Sequence, residues 1–114
     1  MKIKIKRVYE ESSKEDGLRI LVDRLWPRGL TKEKARLDLW LKDIAPSPIL
    51  RIWFAHEPKK LKSFSVKYKL ELKNKTDLIN QIKLLGKENG VITFLYAAKD
   101  EKCNHALVLK SVFQ

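Results

Sequence analysis

Cysteine is almost absent from this chain: Cys103 stands alone, so no internal disulfide can form. Small exported domains are commonly stapled by several disulfides, and one thiol fits a reducing compartment instead. Glycine and proline are scarce at four each, which leaves no room for a low-complexity or collagen-like stretch. No apolar run approaches the length of a membrane span. Lysines alternate through Met1–Lys6 with no apolar core behind them, so no export signal is expected there. A cytoplasmic location without a membrane partner is the expectation. Acidic residues are also in deficit, with 14 Asp and Glu against 25 Lys and Arg.

What is present suits one globular domain. The 114 residues are 44% hydrophobic and 34% charged, enough to bury a core without metal or disulfide and too few for two cores. A single domain over residues 1–114 is expected. The net charge of +11 attracts phosphate-bearing partners. The excess is mostly lysine scattered along the chain, and scattered lysine often does no more than solvate a surface.

Ile3 and Ile5 alternate with Lys2, Lys4 and Lys6, which predicts a half-buried strand over residues 2–9 at a sheet edge. Leu18–Leu25 and Val91–Ala98 are short continuous apolar runs and read as buried parallel strands with helices above and below. Between them the pattern is helical. Ser47-Pro48 is a helix start, with Leu50, Trp53 and Phe54 forming an apolar stripe. Pro58 opens a helix burying Leu61, Phe64, Tyr68 and Leu72, and Thr76 caps another carrying Leu78, Ile82 and Leu85. A last helix starts near Asn104. The fold class expected is α/β, with a small, mostly parallel sheet of about three strands and helices packed on it.

In open α/β sheets, ligands bind beyond the carboxyl ends of the strands. Two loops leave there: Asp23-Arg24-Leu25-Trp26-Pro27-Arg28-Gly29, and Ala98-Lys99-Asp100 running on to Asn104-His105. If the strands before them are parallel neighbours, the loops meet. Pro27 and Gly29 stiffen the first loop and let it aim side chains. Arg24, Arg28 and Lys99, with Asp100 beside them, are the candidate ligand-binding residues for a phosphate or carboxylate. Asp23, His56 and His105 are the candidate proton-transfer residues. His56, His105, Cys103 and Asp23 lack metal-ligand spacing, so no metal is expected. A thiolate at Cys103 activated by His105 would need loop geometry, because residues two apart do not face each other on a helix.

The stretches Leu21–Gly29, Leu95–Asp100 with Asn104-His105-Ala106, Asp43–Ser47 and Trp53–Pro58 together resemble the YeaO-like family, the short-chain branch of the domain of unknown function numbered 488. The resemblance spans essentially the whole chain. It implies a compact bacterial or archaeal cytosolic α/β protein. It also implies that Asp23, Arg24, Trp26, Pro27, Arg28, Gly29, His56, Lys99, Asp100 and His105 occupy signature positions. Ala55-His56-Glu57-Pro58 stands where the family usually has Gly-His-Asp-Pro, and Ala55 leaves less backbone freedom beside His56.

The leading expectation is a small enzyme or binder acting on an anionic small molecule, with no cofactor identified. The second is a nucleic-acid-binding module, with Trp26 or Tyr96 stacking on bases. The third is a protein-interaction module using Trp40 or Trp53. The oligomeric state stays open.

Overall fold

A computed structural model describes all 114 residues. Four strands, β1 (Lys2–Arg7), β2 (Leu18–Leu21), β3 (Leu39–Trp40) and β4 (Val91–Tyr96), form one sheet in the order β1-β4-β2-β3. Every pairing is parallel. Phe94 sits at the centre, with Ile5 opposite it on one side and Ile20 on the other. The sheet has one strand more than expected. That strand, β3, is two residues long and pairs only with Ile20 and Leu21, too short to leave a periodic signal. Three strands end earlier than expected, β4 at Tyr96 rather than Ala98. β1 stops at Arg7, where the Glu10 carboxylate accepts the Arg7 N–H and the chain turns. β2 pairs only to Leu21, although Val22 is still buried.

The helices are α1 (Lys32–Ala35), α2 (Pro48–Phe54), α3 (Leu61–Leu72), α4 (Thr76–Asn89) and α5 (His105–Val112). Their starts follow capping chemistry. The side chains of Thr31, Ser47 and Asn104 accept N–H bonds from Lys34, Leu50 and Leu107. Pro58 begins a single 3₁₀ turn, Pro58–Lys60, that leads into α3. Thr76 is the first helical residue of α4 and caps nothing; Lys75 holds the cap position. Within α4, Ile79, Ile82 and Gly86 are buried, while Leu78 and Leu85 are half-covered.

The two faces of the sheet are covered unequally. Ile3, Ile20, Val22, Ile92, Phe94 and Tyr96 join one core with residues of α2, α3, α4 and α5. The four long helices therefore crowd one face, rather than packing above and below. The other face holds only Val8, Leu21, Ala35 and Leu95, with Trp26, Leu30 and Leu37 packed around them. A buried ion cluster completes that face. The Asp16 carboxylate is bonded by Arg19, by Lys6 at 3.2 Å and by the Ser13 N–H. Arg19 also donates to the carbonyls of Ala35 and Arg36, so each buried charge is partnered, as burial requires. Burial raises the Asp16 pKa, but its hydrogen bonds from Ser13, Arg19 and Lys6 outweigh that and hold it below the ordinary carboxylate value. No helix is long and apolar enough to cross a membrane.

Candidate functional site

Leu21 of β2 lies opposite Leu95 of β4, so both strands release their chains at the same edge of the sheet. The two following loops meet there. Asp23 ties them together, its Oδ2 accepting the Ala97 N–H at 2.9 Å. The first turn of α5 adds His105, whose Nε2 is 3.0 Å from the Val22 carbonyl and 3.2 Å from Asp23 Oδ1. Both neighbours are acceptors, so Nε2 carries the proton and donates to Val22. Oδ1 lies off that line and is left as a buried oxygen without a hydrogen bond. The Val22 carbonyl thus holds the imidazole in one tautomer with the Asp23 carboxylate beside it, leaving Nδ1 as the other ring nitrogen.

Arg24 turns the other way, toward the segment before α2. Its Nη2 donates over 3.3 and 3.4 Å to the carbonyls of Ala45 and Pro46, and Nη1 lies 3.8 Å from the exposed Asp43 carboxylate. Its Nε is buried and unpartnered. That segment is braced from behind. The Tyr68 hydroxyl donates to the Ile44 carbonyl at 2.7 Å, Lys75 donates to Ala45 at 2.9 Å, and Glu71 accepts from Ser47 N–H and Oγ. Complete burial pushes the Tyr68 pKa well above its ordinary value, with the Glu71 and Asp23 carboxylates adding to the rise. Burial lowers the Lys75 pKa; the Glu71 carboxylate opposes this and Arg24 reinforces it.

Between these walls lies a cavity of about 300 Å³, at the small end of the ligand-site range of roughly 300–1,000 Å³. Its polar lining is Asp23, Arg24, Arg51, His56 and His105, and Trp26, Phe54 and Phe64 supply aromatic wall. Trp26 is fixed in place: its indole donates to the Leu30 carbonyl at 2.6 Å and meets Trp40 edge-on at 5.5 Å. Trp40 in turn donates to the Asp23 carbonyl at 2.7 Å. None of the lining residues is a serine, threonine, cysteine, lysine or tyrosine.

Of the residues expected to form the site, Asp23, Arg24, His56 and His105 surround this cavity, whereas Arg28, Lys99 and Asp100 do not. Arg28 lies on the far side of the buried Pro27, its carbonyl taken by the Tyr9 hydroxyl at 2.8 Å, and its side chain is exposed. Lys99 is exposed beyond Ala98, and Asp100 accepts the Lys102 N–H in a local turn. Arg51, on the exposed flank of α2, joins the cavity in their place. It sits four residues past the Ser47 cap and three before the buried Phe54, and that flank position was its only signal in the sequence. Tyr96 is buried and offers no free face to a base, and Trp26 is pinned by its indole N–H in the cleft wall. Cys103 is buried beside the His56 carbonyl, and burial pushes its thiol pKa up, the opposite of what an activated thiolate needs.

His56 is placed by an unusual end to α2. Ala55 (φ 46°) and His56 (φ 55°) are both left-handed, a conformation that glycine adopts without steric cost. A glycine at position 55 would take this geometry without strain, and Ala55 adopts it all the same. His56 is exposed, 5.8 Å from the Phe54 ring. No three His, Cys, Asp or Glu side chains are grouped as metal ligands would be.

These features define a parallel α/β protein with a ligand-sized cleft at the carboxyl edge of its sheet. Comparison with known sequences gives the family. Residues 2–114 match the family described as the inactive DUF488-N3 subclade. The uncharacterized protein YeaO of Escherichia coli (strain K12) is 43% identical over 109 residues, covering 96% of this chain and 94% of that one. An uncharacterized protein of Mycobacterium tuberculosis is 39% identical over 108 residues, covering 95% and 90%. The chain therefore belongs to the YeaO-like DUF488 family. No solved structure matches it.

Proposed function

We propose that the cleft binds a small molecule bearing a carboxylate or phosphate on an aromatic or apolar body, and that it binds this molecule without transforming it. The observation that carries the reading is the composition of the cavity wall. Two guanidinium groups and two imidazoles surround a single carboxylate beside Trp26, Phe54 and Phe64. Arg51 presents a donor fork suited to an oxyanion, Arg24 adds its positive charge although its Nη2 is taken by the Ala45 and Pro46 carbonyls, and the His105 ring adds a polar edge. The Asp23 carboxylate lies 3.2 Å from that imidazole, which the Val22 carbonyl orients. The wall holds no hydroxyl, thiol or amine nucleophile, and its one carboxylate, Asp23, is engaged by the Ala97 N–H and lies against His105, which favours binding over a covalent step. The family description, an inactive subclade, is in keeping with a site that carries out no reaction.

The test is thermal denaturation with phenyl phosphate, benzoate and inorganic phosphate, on the wild type and on Arg51→Ala. Arg51 is exposed and forms no ion pair, so its removal leaves the fold intact. Phenyl phosphate is expected to raise the melting point most, and a ligand at a hundred times its Kd stabilises by about 2.7 kcal/mol. Arg51→Ala should lose most of that gain. No stabilisation by either aromatic anion, or an equal gain in the variant, would refute the reading.

A further inference from the structure

The outer face of α2 and α3 carries large apolar side chains with nothing over them. Ile49 is 83% exposed, Ile52 76%, Val66 59% and Leu70 55%. The two helices run antiparallel. Ser47, before α2, bonds to Glu71 near the end of α3, whereas Phe54, at the end of α2, stacks on Phe64 with ring centres 4.0 Å apart. Trp53 lies under the ammonium groups of Lys60 and Lys67, at 5.0 and 5.2 Å. This alignment brings Ile49 and Trp53 to the flank that α3 fills with Lys67 and Leu70. The apolar groups therefore form one surface across both helices.

The charge around that surface has one sign. Residues 48–75 contain eight lysines and arginines, and their only carboxylates are Glu57 and Glu71. Arg51 lines the cleft and Lys75 braces the Ala45 carbonyl; of the remaining six lysines only Lys60 has a carboxylate beside it, Glu57 at 3.6 Å, so the face keeps a net positive charge. Such a face repels a second copy of itself, because a two-fold contact would set like charge on like. Nucleic acid satisfies the cations but leaves exposed isoleucines facing phosphate and water. A protein partner needs a recess matched to the protruding side chains, with charge kept to the rim. Here Lys62, Lys67 and Lys69 are interspersed with Val66 and Leu70 along α3.

Protruding aliphatic side chains among interspersed cations match the interfacial layer of an anionic bilayer. There, phosphates take the lysines and the acyl boundary takes the isoleucines, with no fitted recess required. We infer that the α2–α3 face docks reversibly on an anionic lipid surface, as a peripheral contact independent of the cleft ligand.

The test is vesicle flotation of the full chain. Phosphatidylcholine vesicles are compared with vesicles of equal phosphatidylcholine and phosphatidylglycerol, at low and high salt. Binding is expected only to the anionic vesicles and should fall with salt. Lys62→Gln and Lys69→Gln should each weaken it about fivefold. Ile49→Ser with Ile52→Ser, at exposed positions that leave the core untouched, should weaken it by at least as much as one lysine change. The inference is overturned if the anionic vesicles are not bound at low salt, or if the double isoleucine variant binds them as well as wild type. It is also overturned if that variant instead loses a shift of duplex DNA, association with polyglutamate, or self-association in sedimentation. Those outcomes assign the face to nucleic acid, an acidic protein or a second copy.

Discussion

Removing one buried oxygen should loosen the wall of the cleft by a calculable amount. Tyr68 is fully buried, stacks on Phe64 and donates to the Ile44 carbonyl at 2.7 Å. Tyr68→Phe keeps the ring and its packing and deletes only the donor. The stranded carbonyl then costs about 1–3 kcal/mol. At this chain length about 1 kcal/mol lowers the melting point by roughly 4 °C, so a fall of about 8 °C is expected by calorimetry. The segment after Ile44 supplies the Ala45 and Pro46 carbonyls that hold Arg24. Combining Tyr68→Phe with Arg24→Ala should therefore give a non-additive cycle, with a coupling of at least about 0.5 kcal/mol. Alkali gives a second check. The folded Tyr68 pKa is raised, so above pH ~10 the unfolded chain loses this proton first and stability falls with pH. The variant lacks that term, and the gap between the proteins should narrow above pH ~10. A fall of less than about 1 °C in Tyr68→Phe, with full additivity, would show that the hydroxyl does not brace the wall.

Asp16→Asn should cost about 3 kcal/mol at neutral pH, the scale for breaking a buried ion pair. Because the folded Asp16 pKa is depressed, that stability is present above the unfolded carboxylate pKa of about 3.9 and is lost as pH falls through the folded value. Denaturant titrations of the two proteins should converge in acid, and a constant gap would contradict the ion-pair reading. Gly17→Ala should destabilise by more than about 2 kcal/mol in urea unfolding, since φ is +63° and an added Cβ collides with the Val91 carbonyl; a neutral result would show that this turn is not tight. Cys103 should resist a thiol reagent in the native protein and react on unfolding, because it is buried and its pKa is raised. Rapid native labelling would show an accessible thiol.

The apolar runs Leu18–Leu25 and Val91–Ala98 made parallel strands and their shared carboxyl edge legible from the sequence, and with them the meeting of the two loops, although the strands end at Leu21 and Tyr96. The Ser47 and Asn104 caps placed α2 and α5. What stayed hidden depends on tertiary contacts. β3 is only two residues long, so no periodicity marks it. Arg24 and Arg28 look alike on one stiff loop, yet the buried Pro27 separates the cavity side from solvent, and no local pattern records which arginine falls where. Arg51 sits in a helix whose apolar stripe drew attention to Trp53, which lies under two lysines at the surface. Trp40, expected as a docking residue, is partly exposed and braces the Asp23 carbonyl. The Asp16–Arg19–Lys6 cluster joins two strands and the turn between them, and such a network has no signature in charge spacing.

The most direct trial of the central claim is a titration of the nitrogen-15-labelled protein with phenyl phosphate, followed by amide and imidazole resonances. The cleft reading predicts saturable shifts gathered at Asp23–Trp26, Arg51, His56, Ala97, Ala98 and His105, and their loss in Arg51→Ala. Weak, unsaturated shifts spread over the lysine-rich surface, with those positions silent, would contradict it.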